Sequence, residues 1–120
     1  ANTFKVVNFA AEPNSAGTPY VIYTAAGSTT TIVLGLILTN IHTAQITAEV
    51  ELVSTTSSRG GANNVANGTS FLAKDVPIPV GSSLELLTGS KVVLEAGDVL
   101  RVDCSVADKL SGTLSIMEIT

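Results

Sequence analysis

The apolar run Thr31-Ile-Val-Leu-Gly-Leu-Ile-Leu-Thr39 constrains the fold more than any other stretch of the sequence. A strand in an antiparallel sandwich alternates apolar and polar side chains when one sheet face meets the core and the other meets water. This run does not alternate, so it predicts a strand that is covered on both faces. The cover could be a loop of the same chain, a third layer or another protein chain. The pattern points toward assembly rather than catalysis.

The composition predicts an all-β fold. Apolar residues make up 45% of the 120 residues and aromatic residues only 4%, so valine, isoleucine and leucine must form most of the core. β-Branched residues and abundant threonine favour sheets over helices, and the length fits a single domain over residues 1–120. We predict a two-sheet antiparallel β-sandwich of about eight strands, with jelly-roll wiring favoured over immunoglobulin-like wiring.

Turn residues and local alternation define the strand boundaries. The predicted strands span residues 3–9, 18–24, 31–40, 45–53, 69–75, 82–88, 91–95, 99–106 and 112–119. The segment Val76-Pro-Ile-Pro-Val-Gly81 carries two prolines, which lack a backbone donor and fix the backbone angle. We therefore predict a stiff extended connector that does not sit inside a sheet. Residues 1–9 are a candidate N-terminal arm.

The stretch from Ser54 to Gly68 is the longest polar, glycine-rich segment of the chain. Loops of this length inside a compact domain are uncommon and tend to be functional or mobile. Asn67 and Gly68 suit a type I′ turn that leads into the next strand. Two interpretations stay open, a solvated hairpin tip and a loop ordered by a partner.

The distribution of charge argues against nucleic-acid binding. The formal net charge is −4 and the six basic residues are scattered singly, whereas phosphate binding needs a concentrated basic face. No stretch reaches the roughly 18 apolar residues of a membrane span, and the first residues show no basic segment followed by an apolar one. We expect a protein that binds neither nucleic acid nor membrane and is made without an export signal.

No set of residues predicts a catalytic or metal site. His42 is the only histidine, which argues against a multi-histidine metal centre, and no local motif supplies the nucleophile and carboxylate of a triad. Glu95 and Asp98 fit a tight turn in which the aspartate accepts backbone N–H groups. Cys104 lies on the apolar face of an alternating strand, which favours a small core side chain over a nucleophile. We predict no enzyme activity, no cofactor and no metal.

The C-terminal half carries a recognisable order of strands and corners. The proline-rich connector is followed by the strand Leu84-Glu-Leu-Leu87, the corner Leu94-Glu-Ala-Gly-Asp98 and the tail Ser115-Ile-Met-Glu-Ile119. In this order, residues 30–120 resemble small virion structural proteins of tailed bacteriophages, including those of cyanobacteria. The pattern is one of strands and corners and contains no catalytic signature.

The resemblance implies a capsid decoration or cement protein, made in the host cytoplasm and placed on the outside of a phage head. Its expected partners are the major capsid protein and further copies of itself, with a trimer favoured. Small interfaces multiplied by symmetry would clamp neighbouring capsid subunits against internal DNA pressure. The candidate intersubunit contacts come from the N-terminal segment, the apolar run and the long loop, namely Phe4, Val7, Phe9, Ile32, Leu34, Leu36, Arg59, Asn63 and Asn64.

Two alternatives are a tail or baseplate component built on the same sandwich and a carbohydrate-binding jelly roll. Sugar sites usually present aromatic platforms beside polar groups, and the chain has no tryptophan. Tyr20 and Tyr23 are three positions apart, so a regular strand would point them to opposite sides. The sequence therefore ranks sugar binding below both virion roles.

Overall fold

A computed structural model describes residues 1–54, 68–87 and 89–120. Over these ranges the chain forms nine β-strands and no helix, and so has no helix long and apolar enough to cross a membrane. The strands are β1 (Asn2–Glu12), β2 (Tyr20–Thr24), β3 (Thr30–Asn40), β4 (Ile46–Val53), β5 (Thr69–Ile78), β6 (Ser83–Leu86), β7 (Val92–Leu94), β8 (Val99–Cys104) and β9 (Leu110–Ile119). The predicted all-β class is confirmed.

The strands form two antiparallel sheets that pack face to face. Sheet A has the order β1-β9-β3-β6, with β7 also paired to β3, and sheet B has the order β2-β8-β4-β5. The chain crosses repeatedly from one sheet to the other, and the first strand lies beside the last. This wiring is typical of a jelly roll, as the sequence predicted.

The core lies between the two sheets and consists of aliphatic side chains. The side chains with almost no exposure include Leu36, Leu38, Ile46, Ile78, Leu94, Leu100, Leu110, Leu114 and Ile116. Cys104 belongs to the same cluster at 3% exposure, and burial raises the pKa of its thiol. Its predicted role as a small core residue is confirmed.

The tight turn predicted at Asp98 is confirmed. One carboxylate oxygen of Asp98 accepts the backbone N–H of Glu95 at 2.9 Å, and the other accepts the hydroxyl of Ser54 at 2.9 Å. These bonds satisfy a carboxylate that is only 2% exposed. Asp98 therefore closes the turn between β7 and β8 and ties it to the end of β4.

The structure corrects the prediction for the proline-rich segment. Val76, Pro77 and Ile78 belong to β5, where Pro77 lies opposite Thr47 of β4. Proline is tolerated here because β5 is the outermost strand of sheet B, so its missing donor can face away from the ladder. Pro79, Val80 and Gly81 lie in the connector that follows β5, where the Pro79 carbonyl accepts the N–H of Ser82 at 3.1 Å.

Residues 1–9, the candidate N-terminal arm, lie almost entirely in β1. Residues 2–9 pair with β9 without a shift in register, from Asn2 opposite Ile119 to Phe9 opposite Gly112. The segment is thus the outermost strand of sheet A and does not extend away from the sandwich. The predicted Asn67–Gly68 turn and most of the long polar loop fall outside the described residues.

A polar cluster links the two sheets at one end of the core. The Tyr23 hydroxyl, from sheet B, donates to Glu118 of β9 and lies 2.8 Å from the hydroxyl of Thr31 on β3. Lys5 of β1 forms an ion pair with the same carboxylate at 2.7 Å. The hydrogen bonds from Lys5 and Tyr23 lower the pKa of Glu118, while burial, followed by the bond to Glu118, raises the pKa of Tyr23.

This cluster predicts an acid-sensitive contribution to stability. Because the pKa of Glu118 is lower in the folded chain than its ordinary value of 4.5, its stabilising effect is present above that value and is lost as the pH falls through the folded pKa. Glu118→Gln should therefore lower the melting temperature at pH 7, and the difference from wild type should shrink toward pH 3. Thermal unfolding followed by circular dichroism between pH 3 and 8 measures this.

Glu85→Gln is the matched control, since Glu85 is an exposed glutamate on β6 of the same sheet. It should melt like the wild type across the whole range. A Glu118→Gln deficit that stays constant from pH 8 to pH 3 would contradict the assigned role of the carboxylate.

Candidate assembly surface

A row of apolar side chains crosses sheet A on the side away from the core. Phe4 lies opposite Met117, Met117 opposite Ile32, and Ile32 opposite Val93. Directly opposite residues of an antiparallel pair share one face, so the row spans β1, β9, β3 and β7. Their strand neighbours, such as Ile116 and Val33, are fully buried, so this row points outward. We call these four residues the apolar row.

The apolar row is well exposed in the single chain. Phe4 is 71% exposed and Val93 is 55% exposed, while Met117 and Ile32 are half-buried. Val6, on the same face of β1, is also open to solvent at 65%. Isolated exposed apolar residues are ordinary, but contiguous ones rimmed by polar groups mark interaction sites.

A shallow depression of about 320 Å³ adjoins the row on the same sheet. Leu34 and Ile37 contribute to its apolar lining, and Glu85, Thr113 and Ser115 contribute to its polar lining. Leu34 lies at a β-bulge, where the pairing of β3 with β9 shifts between Val33 and Gly35. The row and the depression together define what we call the outer face of sheet A.

The outer face of sheet A is almost uncharged. Among the described strand residues whose register places them there, the only ionisable side chain is Glu85, opposite Ile37. The remaining polar side chains are neutral, and comprise Asn2, Asn8, Thr30, Thr39, Ser83, Ser111, Thr113 and Ser115. Desolvating such a face costs far less than desolvating charges.

The corresponding face of sheet B is different in character. Arg101 lies opposite Glu51 and forms an ion pair with it, and Lys74 bonds Glu49 at 2.7 Å. The Lys74 ammonium also lies 4.8 Å from the centre of the Phe71 ring. The sandwich therefore has one apolar outer face and one charged outer face, which suits contact on one side and solvent on the other.

The predicted contact residues divide into three groups. Phe4, Ile32 and Leu34 lie on the outer face of sheet A, while Arg59, Asn63 and Asn64 fall outside the described residues. The structure corrects the other three, which are Val7, Phe9 and Leu36.

Phe9 and Leu36 are core residues and Val7 packs against the core. The Phe9 ring is 5.3 Å from that of Tyr20. On a regular strand Ile32, Leu34 and Leu36 would share one face, but the bulge between Val33 and Gly35 reverses the alternation. As a result Leu36 turns inward and is 1% exposed.

Four further residues of the outer face, which are Val6, Ile37, Val93 and Met117, were not among the predicted contact residues. Val6 shares a face with Phe4 by simple alternation, so this residue could have been chosen on the same argument. Met117 and Val93 join the row only through the register of β9 and β7 on β3. Those pairings connect distant parts of the chain and leave no local signal.

The described residues include no candidate metal site. In this part of the chain, no group of three or more histidine, cysteine, aspartate or glutamate side chains could hold a metal ion. His42 follows β3, and its backbone N–H donates to Asn40 at 2.7 Å. The Tyr20 ring packs against Phe9 at a tilt of 57°, and the Tyr23 hydroxyl donates to Glu118, so these two side chains do not form an exposed platform for a sugar ring.

No protein-family model matches the chain, and the search of curated proteins found no match. Solved structures with the same fold do exist. The VP2 subviral particle of infectious bursal disease virus matches 97% of this chain at 14% identity with a TM-score of 0.50. A structure of the Gx strain of the same virus matches 96% of this chain at 15% identity with a TM-score of 0.50. This chain spans only about a third of those proteins, 32% and 33%.

A structure of Bacillus endospore appendages, described as a family of disulfide-linked pili, is also similar. It matches 100% of this chain and 87% of its own length at 17% identity, with a TM-score of 0.47. At these levels of identity the virus structures support the jelly-roll fold and nothing about activity.

Proposed function

We propose that the chain is a non-enzymatic structural protein of a phage virion, a decoration or cement protein that docks on the capsid surface. The observation that carries this proposal is the apolar row, because it exposes large side chains on one uncharged sheet face of an otherwise well-packed sandwich.

The energetics favour a contact on the outer face of sheet A. Fully burying a side chain such as phenylalanine or valine contributes roughly 1.5–3 kcal/mol. Phe4, Val6, Val93 and Ile37 are all more than two-fifths exposed, so docking this face would remove several such side chains from water. The gain exceeds that of the charged face of sheet B, where ion pairs must be desolvated first.

The proposed partners follow from this arrangement. The outer face of sheet A would rest on the major capsid protein, and further copies of the chain would occupy the equivalent sites of the lattice. The charged face of sheet B would remain in solvent on the outside of the virion. The resemblance of residues 30–120 to small phage virion proteins supports the same placement.

The number of copies in each phage particle tests the proposal. We expect purified particles to contain this chain at a ratio of one, or a simple fraction of one, to the major capsid protein when both are quantified by mass spectrometry. A few copies to a few tens would instead place it in a tail or baseplate. Its absence from particles would overturn the virion role altogether.

A further inference from the structure

β1 is an edge strand without the usual protection against pairing. Edge strands expose a row of backbone N–H and C=O groups, and natural proteins block them with short strands, bulges, proline or charge. β1 runs from Asn2 to Glu12, and its residues 2–9 are regular. Of the described strands, none pairs with the side of β1 that faces away from β9.

The other edges of the two sheets are protected. β6 and β7 have four and three residues, and β2 has five with a register shift between Val21 and Tyr23. β5 carries Lys74 and Pro77, is irregular in register, and has Asp75 at a positive φ of 49°. Among the described strands, long and regular exposed backbone is thus confined to β1.

The one charge near the centre of β1 does not block pairing. Lys5 is directed to the inner side of sheet A, where its ammonium is 2.7 Å from the Glu118 carboxylate. The outward side chains of residues 2–8 are Asn2, Phe4, Val6 and Asn8, all uncharged. A chain with a net charge of −4 repels its own copies in general, and this edge is a place where two copies can meet without opposing like charges.

We infer that β1 pairs antiparallel with β1 of a second copy and joins two sheets A into one continuous sheet. Such a contact is isologous, because the same edge serves both partners. The two-fold axis is perpendicular to the sheet, so the rotation that relates the two copies keeps their outer faces on the same side of the joined sheet. Both apolar rows therefore face the same side, and the dimer doubles the docking surface of the proposed function, on which this last consequence rests.

The pleat restricts the register of the pair. Residues on the outer face must lie opposite residues of the same face, so the two residue numbers of each pair must add to an even number. A sum of 10 would place Lys5 opposite Lys5, whereas a sum of 12 places Lys5 opposite Val7. The second register also sets Val6 opposite Val6 on the two-fold axis, and it overlaps residues 3–9.

The solution mass and one charge substitution test the dimer. Light scattering after size exclusion should give twice the 12.2 kDa chain mass, and Val6→Lys should return it to the monomer because two lysines would meet at the axis. Val93→Lys is the matched control, since Val93 is 55% exposed on the same face but distant from β1. It should remain a dimer, and both variants should keep the wild-type circular dichroism.

Cysteine substitution tests the register. The native Cys104 is buried, so an added surface cysteine reports contacts without interference. Under mild oxidation, Val6→Cys should become mostly a covalent dimer, because the introduced cysteine of one copy lies opposite the same cysteine of the second copy. Val93→Cys should stay largely uncrosslinked. A mixture of the Phe4→Cys and Asn8→Cys variants should crosslink far more than either variant alone. In the register whose residue numbers add to 12, position 4 of one copy lies opposite position 8 of the other.

Three outcomes would overturn the inference. They are a monomer at all concentrations, a trimer, and a dimer that Val93→Lys disrupts while Val6→Lys does not. These readouts need no phage particle, so failure of the edge pairing is distinguishable from failure of the proposed function, which the copy number decides.

Discussion

Gly112→Ala is expected to destabilise the sandwich by about 1–3 kcal/mol, lowering its melting temperature by roughly 4–15 °C. Gly112 lies on the inner face of β9, directly opposite Phe9. A Cβ added there would come within 2.5 Å of two Phe9 ring carbons and 3.1 Å of a Leu38 methyl carbon. The Phe9 ring cannot move away freely, because it is 7% exposed and packs on Tyr20.

Two further variants test this explanation. Gly35→Ala is the control, since a Cβ at Gly35 of β3 would meet nothing within 4 Å, and it should melt like the wild type. Gly112→Ala combined with Phe9→Leu should lose less stability than the sum of the two single variants, because the smaller side chain leaves room for the methyl group. Strict additivity in differential scanning calorimetry would show that the ring is not the obstacle.

The sequence predicted the fold class well because most strands follow a local period. In β8 the alternation alone indicates that Leu100, Val102 and Cys104 face inward, and all three are buried. The turn at Asp98 is equally local. The extent of β5 was missed, since a proline in a strand is acceptable only at an edge and strand order is not a local property.

The contact residues were harder to predict because both faces of β1 and β3 carry apolar side chains. Alternation correctly places Phe4 and Phe9 on opposite sides of β1. It does not indicate which of the two side chains points into the core. The answer depends on β9, whose Gly112 makes room for Phe9 and whose Met117 lies beside Phe4. In β3 the bulge before Gly35 adds a second difficulty, since it reverses the alternation without any clear sequence signal.

The sequence predicted that both faces of β3 are covered. Its inner face is covered by the chain itself, because Val33 and Leu38 are completely buried. Its outer face remains partly open, and Ile37 is 43% exposed. The described part of the chain thus leaves the outer face of β3 partly uncovered, and this is the face on which the proposed docking places the capsid.

Phe4→Ser is expected to weaken attachment to the phage particle by about 30-fold, the effect of losing roughly 2 kcal/mol at one central aromatic contact. Phe4 is the largest side chain of the apolar row and, at 71% exposed, supports little of the monomer fold. The variant should therefore keep the wild-type melting temperature. Binding of purified protein to particles lacking it, measured by co-sedimentation over a concentration series, gives the affinity.

Phe71→Ser is the matched control on the opposite side of the sandwich. Phe71 is also an exposed phenylalanine, at 47%, but it lies on the charged face of sheet B beneath Lys74. If the outer face of sheet A docks, Phe71→Ser should bind like the wild type and only Phe4→Ser should lose affinity. The reverse result would place the capsid contact on sheet B, and the apolar row would then need a different partner, such as another copy of the chain.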